Sequence, residues 1–136
     1  MKTSREAMAE VNAHVEEGYP YEVCGMLIGA KGSGRVTQTR RVRNTVTDRA
    51  RDRYEMDPLD QIRIQRECDD SGLEILGYYH SHPDHPAGAS ITDAQRSWAG
   101  PVYLIVACAK GKVEDANAFV AVKDGGPMRD EPLEVG

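Results

Sequence analysis

Residues 77–94 (GYYHSHPDHPAGASITDA) contain the side chains best suited to chemistry, including three of the protein's four histidines. His80 and His82 end a predicted strand, and because strand side chains alternate with a period of two, both imidazoles leave the same face. They could share one metal ion, and Asp93, at the start of the following element, could supply a third ligand. Two imidazoles and one carboxylate, with a fourth position open to water, match a catalytic rather than a structural zinc site.

Glu22 comes directly before a short apolar run, residues 23–28, that is predicted to be a buried strand. A glutamate at that position either faces a polar site or marks an exposed strand end. Its position alone favours neither interpretation.

Composition places the chain among soluble globular proteins. The 136 residues suffice for one domain, with 40% hydrophobic and 29% charged residues. The sequence has no run of 18 apolar residues and no apolar leader, which predicts a cytoplasmic protein without a membrane partner. The net charge of −5 argues against nucleic acid as a partner. The three cysteines are widely separated and predict neither a disulfide framework nor a cysteine zinc site.

The remaining pattern predicts a single domain of the α/β or α+β class. Helices are predicted from Thr3 or Ser4 to Gly18, over residues 58–70 and over residues 92–99, where Thr92 stands in capping-box register. Strands are predicted at residues 23–28, 35–44, 73–82, 102–109 and 113–122. Residues 123–136 are rich in glycine, proline and charge, and we expect a weakly ordered tail there.

The full set of chemical residues has a recognisable spacing. Glu22 is followed by His80-Ser81-His82-Pro83, and from His82 the chain reads His-x7-Ser-x2-Asp, ending at Ser90 and Asp93. This pattern resembles the JAMM motif of the MPN+ family of zinc metallopeptidases, and every motif position is present.

The resemblance implies a role for each motif residue. His80, His82 and Asp93 would bind one Zn²⁺ per chain, Glu22 would be the general base, and Ser90 would donate a hydrogen bond to the oxyanion. The implied fold is a single compact MPN/JAMM domain over residues 1–122, with a mixed, mostly antiparallel sheet flanked by helices and a tail over residues 123–136. The implied reaction is hydrolysis of a peptide or isopeptide bond.

The resemblance also suggests a substrate class. Short stand-alone relatives predict a ubiquitin-like or sulfur-carrier protein with a C-terminal Gly-Gly, for example one from which cysteine is released. The alternatives are a general ubiquitin-like isopeptidase, a peptidase for small peptides, or a non-catalytic module that binds ubiquitin-like proteins. The sequence does not define an oligomeric state.

Residues 45–56 are the candidate flap over the substrate tail, and we name them the flap segment. Its arginines Arg49, Arg51 and Arg53 either meet acidic carrier residues or form a solvated face. Tyr54 is a further candidate substrate contact. His85 offers a competing metal ligand through His-x-His-x2-His, but a rim contact with substrate or a plain surface position suits its proline-rich loop better.

Overall fold

A six-stranded mixed sheet forms the centre of the computed structural model, which describes residues 1–48 and 50–136. The elements within these residues are β1 (Lys2–Thr3), α1 (Arg5–Gly18), β2 (Cys24–Ala30), β3 (Arg35–Val36), β4 (Gln38–Val42), α2 (Pro58–Asp70), β5 (Leu73–Pro83), α3 (Ile91–Gln95), β6 (Val102–Ala109), β7 (Lys112–Ala121), β8 (Met128–Glu131) and β9 (Glu134–Val135).

The large sheet has the strand order β4-β2-β5-β6-β7-β8. Strands β5 and β6 run parallel, while the other neighbours are antiparallel. Strands β3, β1 and β9 form a small parallel sheet. The predicted α/β class and the mostly antiparallel sheet are therefore confirmed.

Helices α1 and α2 pack on opposite faces of β2, because neighbouring residues of a strand point to opposite faces. Leu27 lies in one buried cluster with Val11 of α1. Met26 lies in a second buried cluster with Ile64 of α2. Each such side chain contributes about 1.5–3 kcal/mol on burial. Helix packing on both faces thus fixes the position of strand β2. Glu22 lies two residues before this strand, so its position is fixed as well.

Helix α3 differs from its predicted bounds of 92–99, since it begins at Ile91 and ends at Gln95. Its N-cap is Ser90 rather than Thr92. The Ser90 hydroxyl accepts a hydrogen bond from the Asp93 N–H at 3.0 Å, and the Asp93 carboxylate accepts one from the Ser90 N–H at 2.9 Å. This reciprocal pair satisfies two amides at the helix start, which explains why the cap forms there.

Two further predictions need correction. Residues 35–44 form two strands, β3 and β4, because Arg35–Val36 pairs with β1 in the small sheet whereas Gln38–Val42 pairs with β2 in the large sheet. Residues 123–136 are not weakly ordered, since β8 pairs with β7 and β9 pairs with β1. β9 pairs with a strand at the other end of the chain, and β8 pairs with β7 across a Gly-Pro turn, so the glycine, proline and charge of this segment did not reveal its strands. The domain boundary at residue 122 stays a prediction.

Within the described residues, none of the helices has the length and apolar character needed to cross a membrane.

Candidate active site

Strand pairing brings the glutamate and the histidines together. Strands β2 and β5 are antiparallel, and Cys24 at the start of β2 pairs with His80 near the end of β5. Ser81 extends this pairing, because its hydroxyl accepts a hydrogen bond from the Val23 N–H at 2.9 Å and its own N–H donates to the Val23 carbonyl at 3.0 Å. Glu22, one residue earlier, therefore lies beside the histidine pair.

The two imidazoles and the aspartate converge on one point. The Nε2 atoms of His80 and His82 lie 3.1 Å apart. The carboxylate oxygens of Asp93 lie 3.2 Å from the His80 Nε2 and 3.3 Å from the His82 Nε2. The capping box of α3 holds the Asp93 carboxylate in this orientation. Ligand atoms of Glu22, His80 and His82 also lie within 4.8 Å of one another.

The imidazoles present the groups that a metal ion needs. The Nδ1 of His82 lies 2.8 Å from the Pro86 carbonyl, an acceptor, so Nδ1 carries a proton and Nε2 faces the site. Burial lowers the pKa of His80 and outweighs the attraction of Asp93, so this ring is neutral. Burial also disfavours the charged form of His82, but the hydrogen bonds to Asp93 and Pro86 outweigh it and raise its pKa. Two nitrogens and a carboxylate in contact fit a divalent metal, which would bind each imidazole through the lone pair of its Nε2.

The two carboxylates at the site differ in their electrostatics. Burial raises the pKa of Glu22 to about 7. Burial also acts on Asp93, but hydrogen bonds from His80 and His82 outweigh it and hold the Asp93 pKa well below its usual range. An always-ionised carboxylate suits a metal ligand, whereas a pKa near neutrality suits a general base. Burial and hydrogen bonding therefore favour an ionised Asp93 and a Glu22 that titrates near neutral pH.

A cavity of about 530 Å³ opens over these groups. Ser90, Arg53, Tyr54 and His85 line it, together with Glu22, His82 and Asp93. Arg51 is exposed and is not among the described residues that line this cavity. Arg49 lies outside the described residues. Of the predicted substrate contacts, Arg53, Tyr54 and His85 therefore border the cavity, and Arg51 is not among its described lining residues.

Comparison with known proteins places the chain in a family. Residues 4–122 match the family of prokaryotic homologs of the JAB domain. The chain belongs to this family. It is 36% identical over 110 residues to a desampylase of Haloferax volcanii, covering 77% of this chain and 78% of that protein. It is 26% identical over 123 residues to the CysO-cysteine peptidase of Mycobacterium tuberculosis, covering 90% and 82%.

A solved structure confirms the fold of this JAB domain. The structure described as a JAMM metalloprotease-like zinc site in the proteasome and signalosome superposes with a TM-score of 0.60 at 18% identity, covering 100% of this chain and 97% of the other. The predicted MPN/JAMM fold and family are therefore confirmed, and with peptidase relatives the JAB domain is a hydrolase.

Arg96 and Asn44 make hydrogen bonds at or next to the cavity and were not predicted from the sequence. Arg96 lines the cavity three positions after Asp93, and its guanidinium donates to the Tyr54 carbonyl at 2.8 Å. The Asn44 side chain donates to the carbonyls of Glu22 and Arg53, both at 3.2 Å. Asn44 could have been suspected because it is a polar residue directly before the flap segment. Arg96 could have been suspected because it lies three residues after Asp93, close to it on the same predicted helix.

The buried charge of Glu22 predicts a pH-dependent stability difference in the metal-free JAB domain. Between about pH 4.5 and 7 the folded state keeps the Glu22 proton while the unfolded state loses it, so stability falls as the pH rises. We expect Glu22→Gln to match the unaltered protein below pH 4.5 and to exceed its stability by about 1–3 kcal/mol above pH 7. Urea titrations of chelator-treated protein at pH 4 and pH 8 measure this; a variant that is less stable at pH 8 would contradict it.

Proposed function

We propose that the protein is a zinc-dependent hydrolase of a peptide or isopeptide bond at the C-terminal Gly-Gly tail of a ubiquitin-like or sulfur-carrier protein, acting in the cytoplasm. The observation that carries this proposal is the convergence of His80, His82 and Asp93 with Glu22 beside them. The three convergent residues would hold one zinc ion. When bound, zinc supplies Lewis acidity and acidifies a coordinated water.

Glu22 is suited to move the proton. Its carboxylate lies at the histidine pair and borders the cavity, and burial raises its pKa to about 7. It takes a proton from the attacking water and passes it to the leaving amine, which needs a group that is both a competent base and a competent acid near neutral pH.

The names of the relatives support the substrate class. One relative is a desampylase and another is a CysO-cysteine peptidase. A diglycine tail also suits the site physically, because glycine lacks a Cβ and brings its backbone close to the metal ligands and to Glu22. The proposed substrates are a sulfur carrier whose Gly-Gly end is joined to cysteine and, as the alternative, an isopeptide-linked ubiquitin-like conjugate.

The test uses zinc-loaded protein and two substrates read by intact mass: a Gly-Gly-ended sulfur-carrier protein extended by one cysteine, and a ubiquitin-like protein joined to a lysine side chain. Loss of the cysteine mass, blocked by a chelator, would support the carrier reaction. Cleavage of the lysine conjugate alone would move the substrate to the isopeptide class. Cleavage of neither substrate by protein with bound zinc would overturn the proposed substrate class.

Ser90 is proposed to donate a hydrogen bond to the oxyanion. Its hydroxyl oxygen accepts from the Asp93 N–H, which leaves the hydroxyl proton free to point into the cavity that Ser90 lines. We expect Ser90→Ala to lower kcat by about 10²-fold, in the range measured for lost oxyanion donors. Ser90→Thr keeps the hydroxyl and the cap and serves as the control. Equal kcat for the alanine and threonine variants would contradict the role.

Arg53, Tyr54 and His85 are proposed substrate contacts at the cavity wall. Arg53 is exposed there, so its charge can attract an acidic carrier. We expect Arg53→Ala to raise KM for the carrier about two- to fivefold with little change in kcat. Arg51→Ala is the matched control, because the exposed Arg51 is not among the described residues that line the cavity. An equal rise in KM for both variants would show that the effect is general charge attraction. The predicted contact through Arg49 stays a prediction.

A further inference from the structure

An aromatic ring of the flap segment lies flat against a proposed metal ligand. The Tyr54 ring and the His80 imidazole stack with centroids 4.5 Å apart and an interplanar angle of 24°. His80 itself is 2% exposed. His82 is oriented in a different way, by the hydrogen bond from its Nδ1 to the Pro86 carbonyl. Aromatic stacking thus orients the His80 imidazole, whereas a hydrogen bond orients that of His82.

The backbone that carries Tyr54 is held from two sides. The Asn44 amide nitrogen donates to the Arg53 carbonyl at 3.2 Å, and its oxygen accepts from the Glu55 N–H at 3.0 Å. Arg96 donates to the Tyr54 carbonyl at 2.8 Å, and its other terminal nitrogen lies 3.5 Å from a Glu55 carboxylate oxygen. The backbone at Tyr54 is therefore held in place beside His80.

Arg96 connects this tyrosine to the helix of the third ligand. It is the C-cap residue of α3, and Asp93 lies in the first turn of the same five-residue helix. A continuous chain of contacts consequently runs from His80 through Tyr54 and Arg96 to Asp93. Since Asp93 also contacts His80 directly, at 3.2 Å, the contacts form a closed loop.

We propose that Tyr54 and Arg96 are positioning residues that keep the His80 and Asp93 side chains in the arrangement needed to bind the metal. The proposal rests on the proposed metal site and goes beyond it, because neither residue is a ligand. Groups that orient metal ligands commonly change metal affinity by 10- to 100-fold when they are lost. The stack fixes the plane of the imidazole, and Arg96 keeps Tyr54 and Glu55 next to α3.

The test measures metal affinity rather than turnover. Tyr54→Leu, Arg96→Met and the double variant are titrated with Zn²⁺ against a competing chelator, and Co²⁺ absorption reports the ligand geometry. Each single variant is expected to weaken affinity about tenfold or more. Because the two residues act through one chain of contacts, the double variant is expected to lose no more than the worse single variant.

Two controls separate positioning from general damage. Tyr54→Phe keeps the stacked ring and is expected to restore metal affinity and the Co²⁺ spectrum. Arg63→Met removes an exposed arginine that pairs with Asp60 at 2.7 Å on α2, and is expected to leave metal affinity unchanged. Should Tyr54→Leu fail to fold, Arg96→Met still decides the question, since the Arg96 side chain is 43% exposed and replaceable.

The outcomes are distinguishable. Unchanged affinity in Arg96→Met, or additive losses in the double variant, would overturn the proposed coupling while leaving the metal site intact. Failure of the unaltered protein to bind Zn²⁺ or Co²⁺ would overturn the proposed function, and this inference with it.

Discussion

Glu22→Gln is expected to lower kcat by about 10²- to 10⁴-fold while the metal stays bound, because a glutamine amide cannot accept the proton of the attacking water. The amide has nearly the same shape as the carboxyl group, so the strand pairing of Cys24 with His80 that places residue 22 should survive. Single-turnover cleavage of the cysteine-extended carrier measures the loss, and metal content is measured on the same sample.

The control for this prediction is Glu17→Gln, which removes a glutamate that pairs with Arg41 on the exposed surface of α1. Its kcat should equal that of the unaltered protein. Retained turnover in Glu22→Gln would show that another group is the base. Loss of the metal in Glu22→Gln would show instead that Glu22 is a ligand.

Asp93→Asn is expected to abolish turnover by a different route, through the loss of metal. The asparagine oxygen can still accept the Ser90 N–H, so the cap of α3 is kept and the fold is protected. The variant loses the negative charge that lies 3.2 and 3.3 Å from the two imidazole nitrogens. Because residues that merely orient ligands change affinity by about 10- to 100-fold, loss of a charged ligand should cost more than about 100-fold.

Chelator competition measures this affinity, and the Glu22→Gln variant is the matched comparison. The two carboxylates lie at the same site, so the pair of variants identifies which one binds the metal. Tight metal binding in Asp93→Asn together with weak binding in Glu22→Gln would assign the ligand set to Glu22, His80 and His82, a group whose ligand atoms lie within 4.8 Å of one another.

The local part of the site could be predicted from the sequence because short-range periodicity sets it. The His-x-His spacing on a strand places His80 and His82 on one face whatever the strand pairs with. The Ser-x2-Asp spacing likewise contains its own capping box, and the structure shows that box between Ser90 and Asp93. We nevertheless predicted the start of α3 at Thr92, because Thr92 and Gln95 stand in capping-box register.

The local sequence around Glu22 did not determine its position, since that pattern was equally compatible with an exposed strand end. Only the resemblance to the JAMM motif predicted Glu22 as part of the site. It became part of the site because Cys24 pairs with His80, a register between residues 56 positions apart that depends on two-sided burial of β2. Burial in turn raises the pKa of Glu22 to about 7, which no local pattern encodes.

The contrast between local pattern and tertiary packing also explains the other features that the sequence did not predict. Strands β8 and β9 form where edge strands offer free hydrogen-bonding groups, and the contacts of Tyr54 with His80 and Arg96 cross 26 and 42 positions. The sequence by itself determined the identity and spacing of the proposed ligands His80, His82 and Asp93, because strand and helix geometry act over a few residues. The tertiary structure decided that Glu22, the Tyr54 ring and Arg96 lie beside them, because those contacts depend on how distant segments pack.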